Sequence, residues 1–171
     1  QITDRRPARG SVEAPGDGLG SRQGIFRRSV GRILMFVDSS AMVAMLTDES
    51  EGDALADCLA AASDRHTSAV AVFATVAAVA RKRSFSIDEA RVIVARFLDT
   101  SAIVLVPIGK AESEGALTAL ERFGKGRHPA GLNLGDCFAY GCAKALGTTL
   151  LFKGDDFPKT DIPAAFSSGP T

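Results

Sequence analysis

Ile33 to Val37 is an unbroken apolar run that ends on an acid, Asp38, the pattern of a strand buried on both faces. Ser39 or Ser40 can cap the helix predicted next, SAMVAMLTDE. Over residues 50–62 the apolar positions fall at Leu55, Cys58, Leu59 and Ala62, a helical spacing. A polar break, SDRH, leads into TSAVAVFATVAAVARK. Small and β-branched residues alternate there as in a strand, but the length and alanine content predict a buried helix. SIDEARVIVARFL opens with a capping box, Ser86 with Glu89, and continues as an amphipathic helix. AIVLVPI is a second buried strand. A helix from about Lys110 to Phe123, a glycine-rich loop GKGRHPAGLN, a helix over 134–146 closed by Gly147 and a third strand, TTLLF, complete the pattern.

Strands alternating with helices predict an α/β fold, a central parallel sheet flanked by helices on both faces. Ligands of such sheets sit beyond the carboxyl ends of the strands. Asp38 ends the first strand and the pair Asp155–Asp156 follows the third, in LFKGDDF, so both fall on that edge. Two readings of the pair stay open. Gly-Asp is common turn material, and adjacent carboxylates at a strand end also suit a cation.

The 171 residues are 46% hydrophobic and 23% charged, the composition of one soluble domain. No apolar run approaches the ~20 residues of a membrane span. Cys58, Cys137 and Cys142 lack the spacing of a zinc site and read as reduced core thiols of a cytoplasmic protein. The net charge of zero hides an imbalance. Residues 1–34 hold seven arginines against three acids, a net +4, in a Gly-, Arg-, Ser- and Pro-rich stretch without periodicity. That extension is expected to be disordered, and to be upstream or appended sequence before a natural start at Met35. Residues 35–171 are expected to form the domain.

A third acid, Asp136, opens the helix after the glycine-rich loop. Alone, each acid has a bland explanation: a helix cap for Asp38, an N-terminal dipole partner for Asp136, a turn residue for Asp156. As a set entering one crevice they would repel unless a cation neutralised them. All-oxygen sites suit Mg²⁺ or Mn²⁺, and such ions activate water for phosphodiester hydrolysis.

With FVDSSAMVAMLTDES, GKGRHPAGLNLGDCFAYGCAKALGTTLLFKGDDF and KTDI, the chain resembles the PIN-domain endoribonucleases, in particular the VapC toxins of toxin–antitoxin pairs. The resemblance implies a PIN-like three-layer sandwich and a Mg²⁺-dependent nuclease acting on structured RNA, such as a transfer or ribosomal RNA loop. It places the family's metal-binding acids on Asp38, Asp136 and Asp156, ranks Asp155 below Asp156, and gives Ser40 a supporting role. The N-terminal helices carry apolar residues that look exposed, Met42, Met45, Leu46, Val70, Val72 and Phe73. Core packing explains many of them, and the resemblance implies that others form a homodimer face and a groove for a cognate VapB-like antitoxin.

One departure matters. The family's glutamate, in S-x-x-x-x-[LF]-E, falls on Ala74. Alanine cannot ligate a metal, so this chain is expected to be inactive or impaired, either by an inactivating replacement or by nature. Ala74 thus marks the site without being catalytic. The rival reading is a catalytically silent module that binds an antitoxin or RNA. GKGRHPAG lacks the P-loop pattern, yet its Lys125, Arg127 and His128 can contact an RNA backbone, as can Lys153, which can instead neutralise the adjacent acids. His66 reads as a loop residue.

Overall fold

The computed structural model describes residues 33–166. The expected basic extension lies outside them, save for Ile33 and Leu34, and Leu34 already opens the first strand. Four parallel strands, β1 (Leu34–Val37), β2 (Asp64–Ser68), β3 (Ile103–Val106) and β4 (Thr149–Leu151), stand in the order β3-β2-β1-β4. Among the described residues six α-helices flank them: α1 (Ser39–Leu46), α2 (Gly52–Ala61), α3 (Ala69–Arg83), α4 (Ile87–Thr100), α5 (Lys110–Phe123) and α6 (Leu134–Leu146).

The pleat divides the core between two layers. Met35 and Val37 of β1 and Leu151 of β4 face one layer with Met42, Leu55, Leu59, Val79, Val94 and Leu98. Phe36 and Leu150, one residue out of step, face the other with Ala119, Phe123, Leu132, Tyr140 and Cys142. This is the three-layer sandwich expected of the alternating elements. All three cysteines carry free thiols. No described helix is long and apolar enough to cross a membrane.

The polar break SDRH is a strand, contrary to expectation. Asp64 pairs with Leu34, and His66, expected in a loop, pairs with Phe36 and Val104. The segment escapes a hydrophobic-pattern reading because Arg65 and Thr67 find backbone partners inside the fold, while the buried Nδ1 of His66 has none among the described residues. Arg65 donates to the carbonyls of Ala60, Ala62 and Ser101, the last at 2.7 Å, and Thr67 Oγ1 donates to Val37 O at 2.9 Å. The strand expected to be buried in AIVLVPI is an edge strand, with Val104 58% and Leu105 48% exposed. The N-cap of α1 is Asp38, not Ser39 or Ser40, which lie within the helix. The Ser86–Glu89 capping box is present, and Gly147 closes α6 in the left-handed conformation.

Helices α5 and α6 approach closely through two glycines. A Cβ on Gly141 would lie 2.3 Å from the Glu112 carbonyl oxygen and 2.6 Å from Ala116 N. Gly141→Ala is therefore expected to destabilise the domain by about 2–3 kcal/mol, the range of an overpacked core, read as a lower urea midpoint with an unchanged m-value.

Candidate active site

Chain order runs β1, β2, β3 to one side and places β4 on the other side of β1. The carboxyl ends of β1 and β4 thus form the switch-point crevice where open α/β sheets bind ligands. Asp38 enters it first. Its N–H donates to Leu151 O at 2.9 Å, so the residue extends the β1–β4 pairing before turning into α1. Its side chain, 2% exposed, accepts from Ser40 N at 2.9 Å and from Ser40 Oγ at 2.6 Å. Burial raises the carboxyl's pKa, against the lowering pull of hydrogen bonds from Ser40 and Ser39. A buried carboxylate with only hydroxyl and amide partners carries an unneutralised charge.

Asp136 comes from the other helical layer. Asn133 caps α6, accepting from Asp136 N at 3.2 Å, while Asp136 Oδ2 accepts from Asn133 N at 2.8 Å. This reciprocal box aims the acid at the crevice. Burial pushes its pKa up to about 6, and the negative charges of Asp38 and Asp156 add to the rise. Asp136 is therefore close enough to Asp38 and to Asp156 to feel the charge of each.

Asp156 is exposed in a loop between two buried rings, Phe152 and Phe157, whose centroids are 4.9 Å apart. Gly154, at φ +105°, makes the turn that a side chain would strain. Asp155 stands on the other side of that loop, lining a pocket with Glu51, Phe152 and Phe166. Among the described residues no three His, Cys, Asp or Glu are gathered closely enough to cage a metal. The arrangement instead suits an ion such as Mg²⁺, which keeps several waters and takes one or two carboxylates. The buried Asp38 and the half-buried Asp136 are the two that could hold it, with the exposed Asp156 at the mouth.

Ser40 joins this centre to the acidic loop, since its Oγ also accepts from Lys153 N at 3.0 Å. Lys153 does not neutralise Asp155 or Asp156. Its ammonium meets Glu49 at 2.5 Å and Glu51 at 3.1 Å, and Glu49 also pairs with Lys82 of α3. A cavity of about 560 Å³ lies here, lined by Ser39, Ser40, Glu49, Ala74, Lys82 and Lys153 among others. Ala74 thus opens onto the space beside the first acid. The loop cations stand apart from this cavity. His128 Nδ1 accepts from Ala130 N at 3.1 Å and its ring packs on Phe123, whereas Lys125 and Arg127 are exposed.

A PIN-domain family model matches residues 35–163. The chain is 40% identical over 130 residues to "Ribonuclease VapC" of Mycolicibacterium smegmatis, covering 76% of this chain and 98% of the relative. "Ribonuclease VapC30" of Mycobacterium tuberculosis is 39% identical over 128 residues, 75% of this chain and 95% of the relative. A VapC ribonuclease of Rhizobium meliloti is 40% identical, over 75% of this chain and 99% of its own length. The chain belongs to the PIN-domain family, among its VapC ribonucleases.

Within this VapC fold, Glu49 is the functional candidate that sequence reasoning missed. Hydrogen bonds from Lys153 and Lys82 draw its pKa down to about 2. A depressed carboxyl stabilises the fold fully above its unfolded pKa of 4.5, and loses that contribution as the pH falls toward 2. Glu49→Gln is expected to lower stability by about 1 kcal/mol at neutral pH. In urea titrations the gap between the two proteins should close as the pH drops below about 4.5; a gap independent of pH would refute the ion pairs.

Proposed function

We propose that this chain is the nuclease component of a toxin–antitoxin pair, built to hydrolyse phosphodiester bonds in structured RNA with Mg²⁺ and disabled at position 74. The observation that carries this reading is the convergence of Asp38, Asp136 and Asp156 on one crevice, where the charges of two raise the pKa of the third. The relatives' names supply the substrate class.

The Mg²⁺ ion, with Mn²⁺ as the other suitable metal, supplies charge for the phosphoryl oxygen and acidifies a water. Asp38 and Asp136 are held to receive it, each fixed by a capping hydrogen bond and neither paired to a lysine among the described residues. Ser40 keeps Asp38 in place and ties it to the loop that carries Asp156. A glutamate at position 74 would enter from α3, on the cavity side, where it could orient the attacking water or share the ion. Lys125 and Arg127 remain candidates for RNA backbone contact from the rim.

Of the apolar residues expected on the N-terminal helices, Met42 is buried and Met45, Leu46 and Val72 pack against the core. Phe73, 77% exposed on α3, and a different surface, the groove of Leu117, Leu120, Leu134 and Phe138 between α5 and α6, support protein partners. We assign these to a homodimer and to a VapB-like antitoxin. A second reading has Ala74 in its favour, a catalytically silent PIN-fold module that binds antitoxin or RNA.

The decisive comparison incubates this chain and its Ala74→Glu variant with total bacterial RNA, with Mg²⁺ and with EDTA. Discrete cuts by the variant alone, and only with Mg²⁺, support the nuclease. No cutting by either protein, with Mg²⁺ still bound, sinks it in favour of the silent module.

A further inference from the structure

An acidic centre repels the polyanion it must cut, so an RNA nuclease of this kind needs cations close to its carboxylates. The cavity beside the acids supplies them. Arg81 and Lys82 line it from α3, Lys153 from the end of β4, and Ser39 and Ser40 from the start of α1. Its volume of about 560 Å³ is that of a small-ligand site. Lys82 and Lys153 converge on a single anion, the Glu49 carboxylate. Arg81 is exposed on the same wall and makes no ion pair with any described residue. Three cations against two carboxylates, Glu49 and the Glu51 that also meets Lys153 at 3.1 Å, leave this wall with one positive charge in excess, carried by Arg81, next to a centre that is negative.

We propose that this cavity is a subsite for a backbone phosphate of the RNA, and that the phosphate takes the place Glu49 now holds between Lys82 and Lys153. The inference rests on the nuclease reading for the identity of its ligand. A carboxylate gripped by two ammonium groups has the charge and the acceptor geometry of one edge of a phosphate. Glu49 is therefore an internal competitor as well as a tie between α3 and the loop after β4. Ser40 fixes the register. It lines the cavity and bonds Asp38 directly, so a phosphate seated there sets a neighbouring linkage over the acids.

The test is binding of a fluorescein-labelled RNA stem-loop to the parent chain in Mg²⁺, followed by anisotropy over a salt series, with a gel to show that the RNA stays intact. Arg81→Ala and Lys82→Ala are each expected to weaken binding about 3- to 10-fold and to reduce the log–log salt slope by roughly 0.7–1. Glu49→Gln is expected to bind more tightly than the parent. Arg91→Ala, which removes a cation of α4 paired with Asp88, is the control and should change neither quantity. Arg81 makes no ion pair with any described residue, so its variant remains informative if Lys82→Ala is destabilised.

Affinity and slope in Arg81→Ala equal to those of Arg91→Ala, or Glu49→Gln binding no tighter than the parent, overturn the subsite. Cleavage by Ala74→Glu together with such unchanged binding leaves the nuclease standing and removes only the subsite. Binding that depends on Arg81 and Lys82, with no cleavage by Ala74→Glu, keeps the phosphate site and removes the nuclease.

Discussion

Ala74→Glu is expected to raise Mg²⁺-dependent RNA cleavage by about 10²- to 10⁴-fold, the usual contribution of a positioned acid–base group. The fold accommodates the change. Ala71, Thr75 and Val79 turn the buried side of α3 toward the core, while Ala74, Ala77, Ala78 and Arg81 present a different stripe to the cavity. A glutamate at 74 grows into that open space rather than into packed atoms. It also adds a fourth carboxylate to a centre whose acids already repel. The metal-free variant should therefore unfold at a lower temperature than the parent, and Mg²⁺ should stabilise it more, because a ligand stabilises in proportion to its affinity for the folded state. Cleavage products are read on denaturing gels, metal linkage by thermal melts with and without EDTA. A variant that melts like the parent in both buffers, and cuts nothing, would place position 74 outside the centre.

The parts of this fold that the sequence displays are those whose local chemistry and tertiary role agree. Helix α5 runs from Lys110 to Phe123 and α6 ends at Gly147 because periodicity, capping residues and a left-handed glycine all point the same way. Strand β2 is hidden because its interior contacts are polar: Arg65 and Thr67 are satisfied by carbonyls of residues distant in sequence, which no period-2 pattern reveals. Strand β3 misleads in the opposite sense, since its apolar run sits at a sheet edge with half its residues exposed.

The site shows the same division. Asp38 and Asp156 are legible as acids at strand ends, and Asp136 as an acid in a helix's first turn. That Asp38 is both helix cap and crevice acid emerges only from its bonds to Ser40. Glu49 is invisible beforehand because its lysines lie 33 and 104 residues away. Nothing in TDESE separates it from an ordinary solvated acid.

Asp38→Asn is expected to separate stability from activity. The amide oxygen can still accept from Ser40 N and Ser40 Oγ, so the cap of α1 survives, but the buried charge and its repulsion of Asp136 are gone. In metal-free buffer at neutral pH the variant should therefore melt higher than the parent. The sign follows from linkage. The unfolded carboxyl releases its proton near 3.8 and the folded one at a higher pH, because burial raises it. Between the two the folded state holds more protons, and the parent loses stability as the pH rises. The advantage of asparagine should accordingly grow as the pH climbs above about 4, and vanish below it. Asp38→Ala loses the cap as well and should fall by about 1 kcal/mol relative to the asparagine variant. Made in the Ala74→Glu background, Asp38→Asn should reduce cleavage to the level seen in EDTA and abolish the stabilisation by Mg²⁺. A variant that melts lower than the parent yet still cuts RNA would show that Asp38 serves the fold alone, as the cap of α1, and that the metal is held elsewhere.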